Sequence, residues 1–248
     1  MGKIIGISGR KQAGKNTVAN YINGSILLKH GMIKDFYIDP EGQLIVQTVD
    51  SNNNDGYGIF DVTRKDEQFV QYAERELWPY IKLYHFADPL KEMCVNLFGL
   101  NPENVYGSDA QKNRLTTLTW ESMPDCPPDK DGLMTHRQFL EHFGTQVIRK
   151  IYHNAWSEYA LKRIIKEQSE VAIIPDVRFP NEVEIIKQYG GIVIRLTRDV
   201  YHSTSESESS LDQSKFDWNN FDYVLDNDDC SLDILSKKLS NIKHLWGA

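Results

Sequence analysis

Short apolar runs rich in β-branched residues alternate along the chain with segments of helical periodicity. This alternation predicts strands joined by right-handed helical crossovers, and therefore a mostly parallel sheet with helices on both faces. The predicted strands are residues 3–8, 81–86, 171–174, 192–196 and 223–225. The predicted helices are residues 15–22, 89–98, 136–150, 156–167, 182–189 and 232–245. We expect a three-layer α/β/α fold around a five-stranded sheet, formed as one domain over residues 1–248.

Two stretches depart from the alternation. Residues 34–66 are expected to form a β-hairpin insertion, with its turn at residues 39–42 and a polar loop at residues 51–54. Residues 101–134 show little periodicity and are expected to be a mobile or substrate-covering segment.

Charge and composition narrow the classes of protein. The formal net charge of −7 argues against a broad face that coats nucleic acid, although a concentrated anion pocket stays compatible with it. No apolar run approaches the ~20 residues that a membrane-spanning helix needs, so we expect no membrane association. The three cysteines are far apart and odd in number, which favours a reducing compartment. We therefore expect a cytoplasmic protein.

The first predicted strand leads into a glycine-containing loop. Residues 9–17 read Gly-Arg-Lys-Gln-Ala-Gly-Lys-Asn-Thr, which matches the pattern Gly-x4-Gly-Lys between a strand and a helix. In such a loop the main-chain amides and the helix N-terminus attract phosphate, and the lysine adds a full charge where negative charge shifts during phosphoryl transfer. The residues expected to contact ATP here are Gly9, Lys11, Gln12, Ala13, Gly14, Lys15, Asn16 and Thr17. The alternative is a turn that merely connects strand and helix.

One position of the loop departs from the pattern. The residue after the lysine is normally Ser or Thr, whose hydroxyl binds Mg²⁺, and here it is Asn16. An amide oxygen could bind Mg²⁺ weakly or through water; otherwise Thr17 or a distant carboxylate would hold the metal. Asp176, just after the third predicted strand, is the candidate carboxylate. The sequence therefore predicts Mg²⁺ with Asn16 and Asp176 as its ligands.

Five blocks of the chain, in this order, resemble the bacteriophage deoxynucleoside monophosphate kinases, which have the P-loop nucleoside monophosphate kinase fold. The blocks are residues 6–17, 86–91, 137–145 and 173–178, and the pair Ser207-Glu208 with residues 222–227. The second to fourth read Phe-Ala-Asp-Pro-Leu-Lys, Arg-Gln-Phe-Leu-Glu-His-Phe-Gly-Thr and Ile-Ile-Pro-Asp-Val-Arg. Only the first block is highly specific alone, and the order and spacing of the others add to it.

The resemblance implies an activity and a more detailed fold. The γ-phosphoryl group of ATP would be transferred to a deoxynucleoside 5′-monophosphate, giving ADP and a deoxynucleoside diphosphate for DNA precursor synthesis. Mg²⁺ would be required, and the sheet would have the strand order 2-3-1-4-5, with substrates at the carboxyl ends of its strands. Ligands of open α/β sheets bind at that edge in general. A homodimer is compatible with the resemblance, and the expected partners are small molecules rather than extended nucleic acid.

Several residues are candidates for binding the acceptor. Asp88 either contacts Mg²⁺ or the acceptor, or caps the helix that follows it. Lys91 either reaches the acceptor phosphate or is a solvated surface lysine. Arg137 is favoured as a phosphate clamp, because a guanidinium fork suits bidentate phosphate capture. Gly144 and Thr145 interrupt a helical pattern, either to let a base or sugar approach or to allow tight packing.

Three residues beyond the third and fourth predicted strands complete the set. Arg178 would meet phosphate and Asp176 metal or substrate; the alternative is a buried structural Asp–Arg pair. Arg198 would lie near the nucleotide donor or at the surface. Because the attacking group is a phosphate oxygen, no strong base is needed, and the expected catalytic residues are cations and a metal-holding carboxylate: Lys15, Arg137, Asp176 and Arg178. The Ser/Glu-rich residues 203–210 receive no role.

Two other functions stay open. A related P-loop kinase could act on a modified base within DNA, which would need an extended basic groove; the acidic balance of the chain speaks mildly against one. A nucleotide-binding protein without catalysis is the other, and Asn16 is the feature that supports it. The retained Lys15, Arg137, Asp176 and Arg178 favour an active enzyme.

Overall fold

The computed structural model describes residues 2–49, 54–200, 206–228 and 230–248. Contacts between residues divide the chain into two compact units, unit 1 (Met1–His85 and Leu161–Ala248) and unit 2 (Phe86–Ala160). Such units can belong to one domain, so the single domain expected over residues 1–248 stays a prediction. The loop predicted at 51–54 and the stretch 203–210 lie partly outside the described residues.

The described residues form ten strands and eleven α-helices. In chain order the strands are β1 (Lys3–Ser8), β2 (Phe36–Ile38), β3 (Leu44–Val49), β4 (Asp55–Ile59), β5 (Ile81–Leu83), β6 (Leu115–Thr119), β7 (Leu133–Thr135), β8 (Val171–Val177), β9 (Ile192–Leu196) and β10 (Tyr223–Leu225). The α-helices are α1 (Lys15–Lys29), α2 (Glu67–Glu76), α3 (Asp88–Phe98), α4 (Pro102–Tyr106), α5 (Asp109–Lys112), α6 (His136–Glu141), α7 (Arg149–Ile151), α8 (Ala155–Glu167), α9 (Pro180–Gln188), α10 (Glu206–Ser209) and α11 (Leu232–Asn241). A π-helix spans His142–Ile148.

The central sheet of unit 1 is parallel and five-stranded, which confirms the predicted fold class. Its strand order is β5–β8–β1–β9–β10. The labels differ from the predicted 2-3-1-4-5 because all ten strands are numbered together, and five of them belong to two small antiparallel sheets. Within the central sheet alone, the strands in chain order read 2-3-1-4-5.

The strand β1 lies in the middle of this sheet and is buried on both faces. Five of its six residues are buried, as expected of a parallel strand covered by helices on each side. Its neighbours in the core include Ile22 of α1, Ile173 of β8, Ile194 of β9 and the fully buried Trp246. The core therefore fixes the carboxyl end of β1, from which the glycine-containing loop starts.

Two predicted strand ends were wrong. The second central strand stops at Leu83 rather than at residue 86. The third runs on to Val177 instead of stopping at residue 174, although it contains Pro175. The register between β1 and β8 shifts between Gly6 and Ser8, so that β8 contains an extra residue there. Proline, which cannot donate to the ladder, is tolerated at such a bulge.

Residues 34–66 contain a three-stranded antiparallel sheet, one strand more than the expected hairpin. The sheet has the order β2–β3–β4. Its first turn lies where the sequence predicts it, since the N–H of Gly42 donates to the carbonyl oxygen of Asp39 at 2.9 Å. The helix α2, which follows this sheet, was not predicted; its N-terminus is capped by Asp66, whose side chain accepts from the N–H of Phe69.

Unit 2 has a small core of its own around Cys94, Met134 and Phe139. The residues expected to form a mobile or substrate-covering segment, 101–134, contain α4, α5 and β6, and β6 pairs with β7 in an antiparallel ribbon. Their predicted role over the substrate stays a prediction. No helix within the described ranges is long and apolar enough to cross a membrane.

The helix predicted over residues 136–150 is broken into three parts. After α6 the chain forms the π-helix, which contains Gly144, and then the short α7. The N-terminus of α6 is a capping box formed by Thr135 and Gln138. A π-turn contains one more residue per hydrogen-bonded ring than an α-turn, which a glycine accommodates with little crowding. The interruption of the helical pattern at Gly144 and Thr145 falls within this π-helix, but the change of pitch itself was not predicted.

Candidate functional site

The loop between β1 and α1 is a tight curl of backbone. Gln12 and Gly14 have positive φ angles of 63° and 94°, and the N–H of Ala13 donates to the carbonyl oxygen of Arg10 at 3.1 Å. A side-chain Cβ at Gly9 would approach the Cβ atoms of Ala13 and Leu196 to 3.1 and 3.2 Å. The two glycines of the pattern are thus needed, one for close packing and one for its left-handed conformation.

The helix α1 starts directly at the end of this curl. Gly14 occupies the N-cap position, and no side-chain hydrogen bond caps the helix. The first amides of an α-helix have no partner within it, so those of α1 at Lys15, Asn16 and Thr17 can receive an anion. Asn16 is exposed and Thr17 is half-buried.

Lys15 points back into its own loop. Its ammonium donates to the carbonyl oxygens of Gly9 and Arg10, both at 2.7 Å. Burial lowers the pKa of Lys15 to about 8, with further lowering by the positive charge of Arg178, while Glu208 raises it in part. Burial thus disfavours the protonated form of Lys15. A negative charge close to the ammonium would favour that form again. The loop is therefore built to attract an anion.

Asn227 ties the loop to the end of the sheet. Its side-chain amide donates to the carbonyl oxygen of Ala13 at 2.8 Å, and its side-chain oxygen accepts the N–H of Arg198 at 3.0 Å. The residue is only 3% exposed. It lies after β10, so one side chain connects the loop, the segment after β9 and the segment after β10. The side chain of Arg198 is exposed, and its expected contact with the donor stays a prediction.

Behind the loop lies a pair of arginines that share one carboxylate. Arg10 donates to Asp212 with Nε at 3.1 Å and with Nη2 at 2.6 Å. Arg195, 5% exposed, donates to the hydroxyl of Ser8 at 3.0 Å, and its Nη2 lies 3.8 Å from Asp212. Burial lowers the pKa of Arg195 to about 10, so it stays charged at neutral pH. These contacts hold Ser8 at the end of β1 and Arg10 at the start of the loop.

The end of β8 brings the predicted residues Asp176 and Arg178 to the same edge of the sheet as the loop. Asp176 is half-buried within the bulged end of the strand, and it contributes to the electrostatic environment of Lys15. Arg178 follows the strand, and its backbone N–H donates to buried Glu182 at 2.7 Å. The guanidinium of Arg178 donates to Glu208, a residue for which the sequence gave no role.

The remaining predicted residues lie in unit 2. Asp88 is the first residue of α3, whose N-cap position is Ala87, so the alternative that Asp88 caps this helix was wrong. The ammonium of Lys91 lies 5.3 Å from the centre of the Tyr106 ring. Arg137 donates to the carboxylate of Asp109 at 2.7 Å and to the side-chain oxygen of Asn113 at 3.2 Å.

Gly144 is explained by packing. A Cβ on this residue would lie 2.7 Å from Cδ2 of Leu90. Its carbonyl oxygen accepts the indole N–H of Trp156 at 3.1 Å. These contacts favour the second of the two alternatives for Gly144, tight packing, while half-buried Thr145 keeps its expected role at the substrate as a prediction.

Four residues of the site were missed by sequence reasoning as functional candidates: Arg195, Glu208, Asp212 and Asn227. Glu208 belongs to a block of the family resemblance but lies in a Ser/Glu-rich stretch well beyond β9. Asn227 belongs to the same block and lies just after a predicted strand, close enough to reach the loop. That position was a usable signal. Arg195 and Asp212 gave none, because an arginine inside an apolar strand and an aspartate in a polar segment acquire their roles only through the fold.

The parallel sheet and the glycine-containing loop at the end of its central strand are those of a P-loop kinase fold. The chain belongs to the deoxynucleotide monophosphate kinase family, whose family model matches residues 3–239. It is also similar to a protein of Acanthamoeba polyphaga mimivirus named "Putative deoxynucleotide monophosphate kinase". The two are 31% identical over 156 residues, which cover 57% of this chain and 72% of the viral protein. The family resemblance found in the sequence is confirmed, and in general terms the chain is a phosphotransferase.

Proposed function

We propose that this protein transfers the γ-phosphoryl group of ATP to the 5′-phosphate of a deoxynucleoside monophosphate, giving ADP and a deoxynucleoside diphosphate. The observation that carries the proposal is the position of Lys15. Its ammonium is held by the carbonyl oxygens of Gly9 and Arg10 inside a curl that ends at the uncapped N-terminus of α1. Membership of the family supports the nature of the acceptor.

The donor side of the reaction follows from charge. The triphosphate of ATP would lie against the amides at the start of α1, and Lys15 would contact its terminal phosphates. The lowered pKa of Lys15 means that burial within the loop disfavours its positive charge. A bound polyphosphate removes that opposition, so part of the affinity comes from stabilising the protonated amine. In the transition state the same ammonium offsets charge on the leaving oxygen.

The side-chain oxygens of Asn16, in the first turn of α1, and of Asp176, in β8, suit Mg²⁺. This ion prefers oxygen ligands and binds through one or two protein groups, with water and substrate phosphates supplying the rest. The amide oxygen of exposed Asn16 and the carboxylate of half-buried Asp176 are ligands of this kind. When bound, Mg²⁺ would neutralise charge on the β- and γ-phosphates.

The acceptor side rests on unit 2. Arg137 presents a guanidinium whose described partners are Asp109 and Asn113, both in the segment 101–134. A phosphate dianion is a stronger partner for an arginine fork than a solvent-exposed carboxylate, so we propose that the acceptor phosphate replaces Asp109. Lys91 and Asp88 would complete the acceptor contacts, and the base would be selected by the segment 101–134.

The experiment is an ADP-release assay with purified protein, ATP and Mg²⁺. The acceptors are dAMP, dCMP, dGMP, dTMP, hydroxymethylated dCMP, the corresponding ribonucleotides and a DNA duplex. We expect turnover with at least one deoxynucleoside monophosphate and none with the duplex. Lys15→Ala should lower turnover by about three orders of magnitude, a size typical of lost transition-state charge stabilisation.

The matched control is Lys29→Ala, at the far end of the same helix. Lys29 forms an exposed ion pair with Glu170 at 2.8 Å, so its removal should leave turnover unchanged. Turnover with the duplex alone would assign the chain to kinases of bases within DNA. ATP binding without transfer to any acceptor would indicate a nucleotide-binding protein that lacks catalysis. Either result contradicts the proposal.

A further inference from the structure

The side chain of Glu208 connects two parts of the candidate ATP site. Its Oε2 accepts the backbone N–H of Lys11 in the loop at 2.7 Å, and its Oε1 accepts Nη1 of Arg178. Lys11 belongs to the loop after β1, and Arg178 follows β8, so the carboxylate links the ends of two adjacent strands. Both oxygens are used, each by a different partner.

This carboxylate is not a solvated surface group. The side chain of Glu208 is 8% exposed, whereas that of Arg178 is 36% exposed. A buried carboxylate is stable only when its charge and its oxygens are satisfied, and here a guanidinium and a main-chain amide satisfy them. The more exposed guanidinium carries five N–H donors in a fork, so the bond to Glu208 fixes its orientation while further donors stay available.

The segment that carries Glu208 is itself anchored. Three residues on, Leu211 is almost fully buried, and its carbonyl oxygen accepts the indole N–H of Trp218 at 2.9 Å. Asp212 holds Arg10 through both carboxylate oxygens. Residues 208–212 therefore contact the loop twice. Asp212 accepts from the side chain of Arg10, and Glu208 accepts from the backbone N–H of Lys11. These contacts fix the position of Glu208 against the loop.

On these observations we propose that Glu208 is a positioning residue: it fixes the guanidinium of Arg178 for the transferring phosphoryl group and holds the loop at Lys11. This rests on the proposed function, which assigns Arg178 to phosphate. A competing possibility is that the carboxylate occupies the loop in place of a phosphate and must be displaced by ATP. The two explanations predict opposite effects of removing the charge of Glu208: positioning predicts a lower kcat, and competition with phosphate predicts a higher kcat with a lower KM for ATP.

The test compares Glu208→Gln with Glu184→Gln, which makes the same change of charge at an exposed position of α9. A glutamine keeps an oxygen for the N–H of Lys11 but no longer attracts Arg178. Positioning predicts that kcat falls roughly 10- to 100-fold, the size of effect that a misplaced group produces. The KM for ATP should change by no more than about threefold, because ground-state binding is largely retained. The control should match the wild type.

The pair is also tested from its other side. Arg178→Gln should lower kcat at least as much as Glu208→Gln, and the double variant should be no worse than Arg178→Gln alone, since one residue acts through the other. The double variant also removes both charges together, so it tests the pair even if Glu208→Gln does not fold.

Three results would overturn the inference. They are an unchanged kcat in Glu208→Gln, a lower KM for ATP with a higher kcat, and effects that multiply independently in the double variant. The second result would show that the carboxylate competes with phosphate. If the wild type itself transfers no phosphoryl group, the proposed function has failed instead, so the two failures are distinguishable.

Discussion

The charge of Lys15 should make the stability of the ligand-free protein depend on pH in a specific way. Burial lowers its pKa from 10.5 to about 8 in the folded chain. At pH 7 the amine is protonated in both the folded and the unfolded state, so folding carries the whole cost of the buried charge. That cost is roughly 3 kcal/mol, at 1.36 kcal/mol for each unit of pKa. A bound anion would offset this cost.

The stability of the folded protein should rise with pH, because the folded state loses the proton of Lys15 at a lower pH than the unfolded state. As the pH rises above 8 the folded protein releases the proton of Lys15 while the unfolded chain keeps it until about 10.5. The cost therefore shrinks with rising pH, and the folded state gains about 2 kcal/mol between pH 7 and pH 9.5 from this group. Other groups titrate in the same pH range. The contribution of Lys15 is therefore isolated by comparing the wild type with a variant that lacks this amine.

The assay is urea unfolding of the wild type and of Lys15→Met at pH 7 and pH 9.5, without nucleotide. The free energy of unfolding of the wild type, relative to that of the variant, should rise by about 2 kcal/mol from the lower to the higher pH. With saturating ATP the rise should become smaller, because the triphosphate keeps the amine protonated in the folded state. A difference that is independent of pH, or that falls with rising pH, would refute the reasoning.

Two further changes test contacts within unit 1 and within unit 2, one change for each unit. Asn227→Ala leaves the carbonyl oxygen of Ala13 without its buried donor, so it should lower the free energy of unfolding by about 1–3 kcal/mol and weaken ATP binding in equilibrium titration. Asn219→Ala, at an exposed position, should change neither quantity, and equal effects of the two variants would contradict the role of Asn227. Gly144→Ala should lower the free energy of unfolding by about 1–3 kcal/mol, because the added Cβ would clash with Leu90. In a Leu90→Ala background this penalty should largely vanish, and an undiminished penalty would rule out the clash.

The sequence predicted the central sheet well because two strong signals coincide there. Strands buried on both faces read as continuous apolar runs, and the loop pattern marks the end of the first of them. Strand ends were less predictable. Pro175 suggests the end of a strand, but the bulge opposite Ser8 lets β8 continue past it.

Local pattern also failed where the backbone changes type within one element. Gly144 and Thr145 interrupt the helical pattern of residues 136–150, but this interruption alone did not predict a π-helix. In the fold Gly144 lies within that π-helix, packs against Leu90 and accepts a hydrogen bond from Trp156. The third strand of the 34–66 insertion is short and rich in glycine, and such a strand has little propensity of its own.

Some residues of the candidate site could be named from the sequence, and others could not. Lys15, Asp176 and Arg178 were predictable because they follow apolar strands at the edge where ligands bind. Glu208 could not be assigned a role, since a glutamate in a Ser/Glu-rich stretch looks like a solvated side chain until the fold places it against Lys11. A pairing 197 residues apart in sequence leaves no local trace.

We propose above all that the loop binds ATP and that its terminal phosphoryl group passes to a deoxynucleoside monophosphate. The most direct measurement is a single-turnover reaction with ATP labelled at the γ-phosphoryl group, with products separated by chromatography. We predict that the label appears in the deoxynucleoside diphosphate with the wild type and is almost undetectable there with Lys15→Ala. Label released only as inorganic phosphate, or equal transfer by Lys15→Ala, would contradict it.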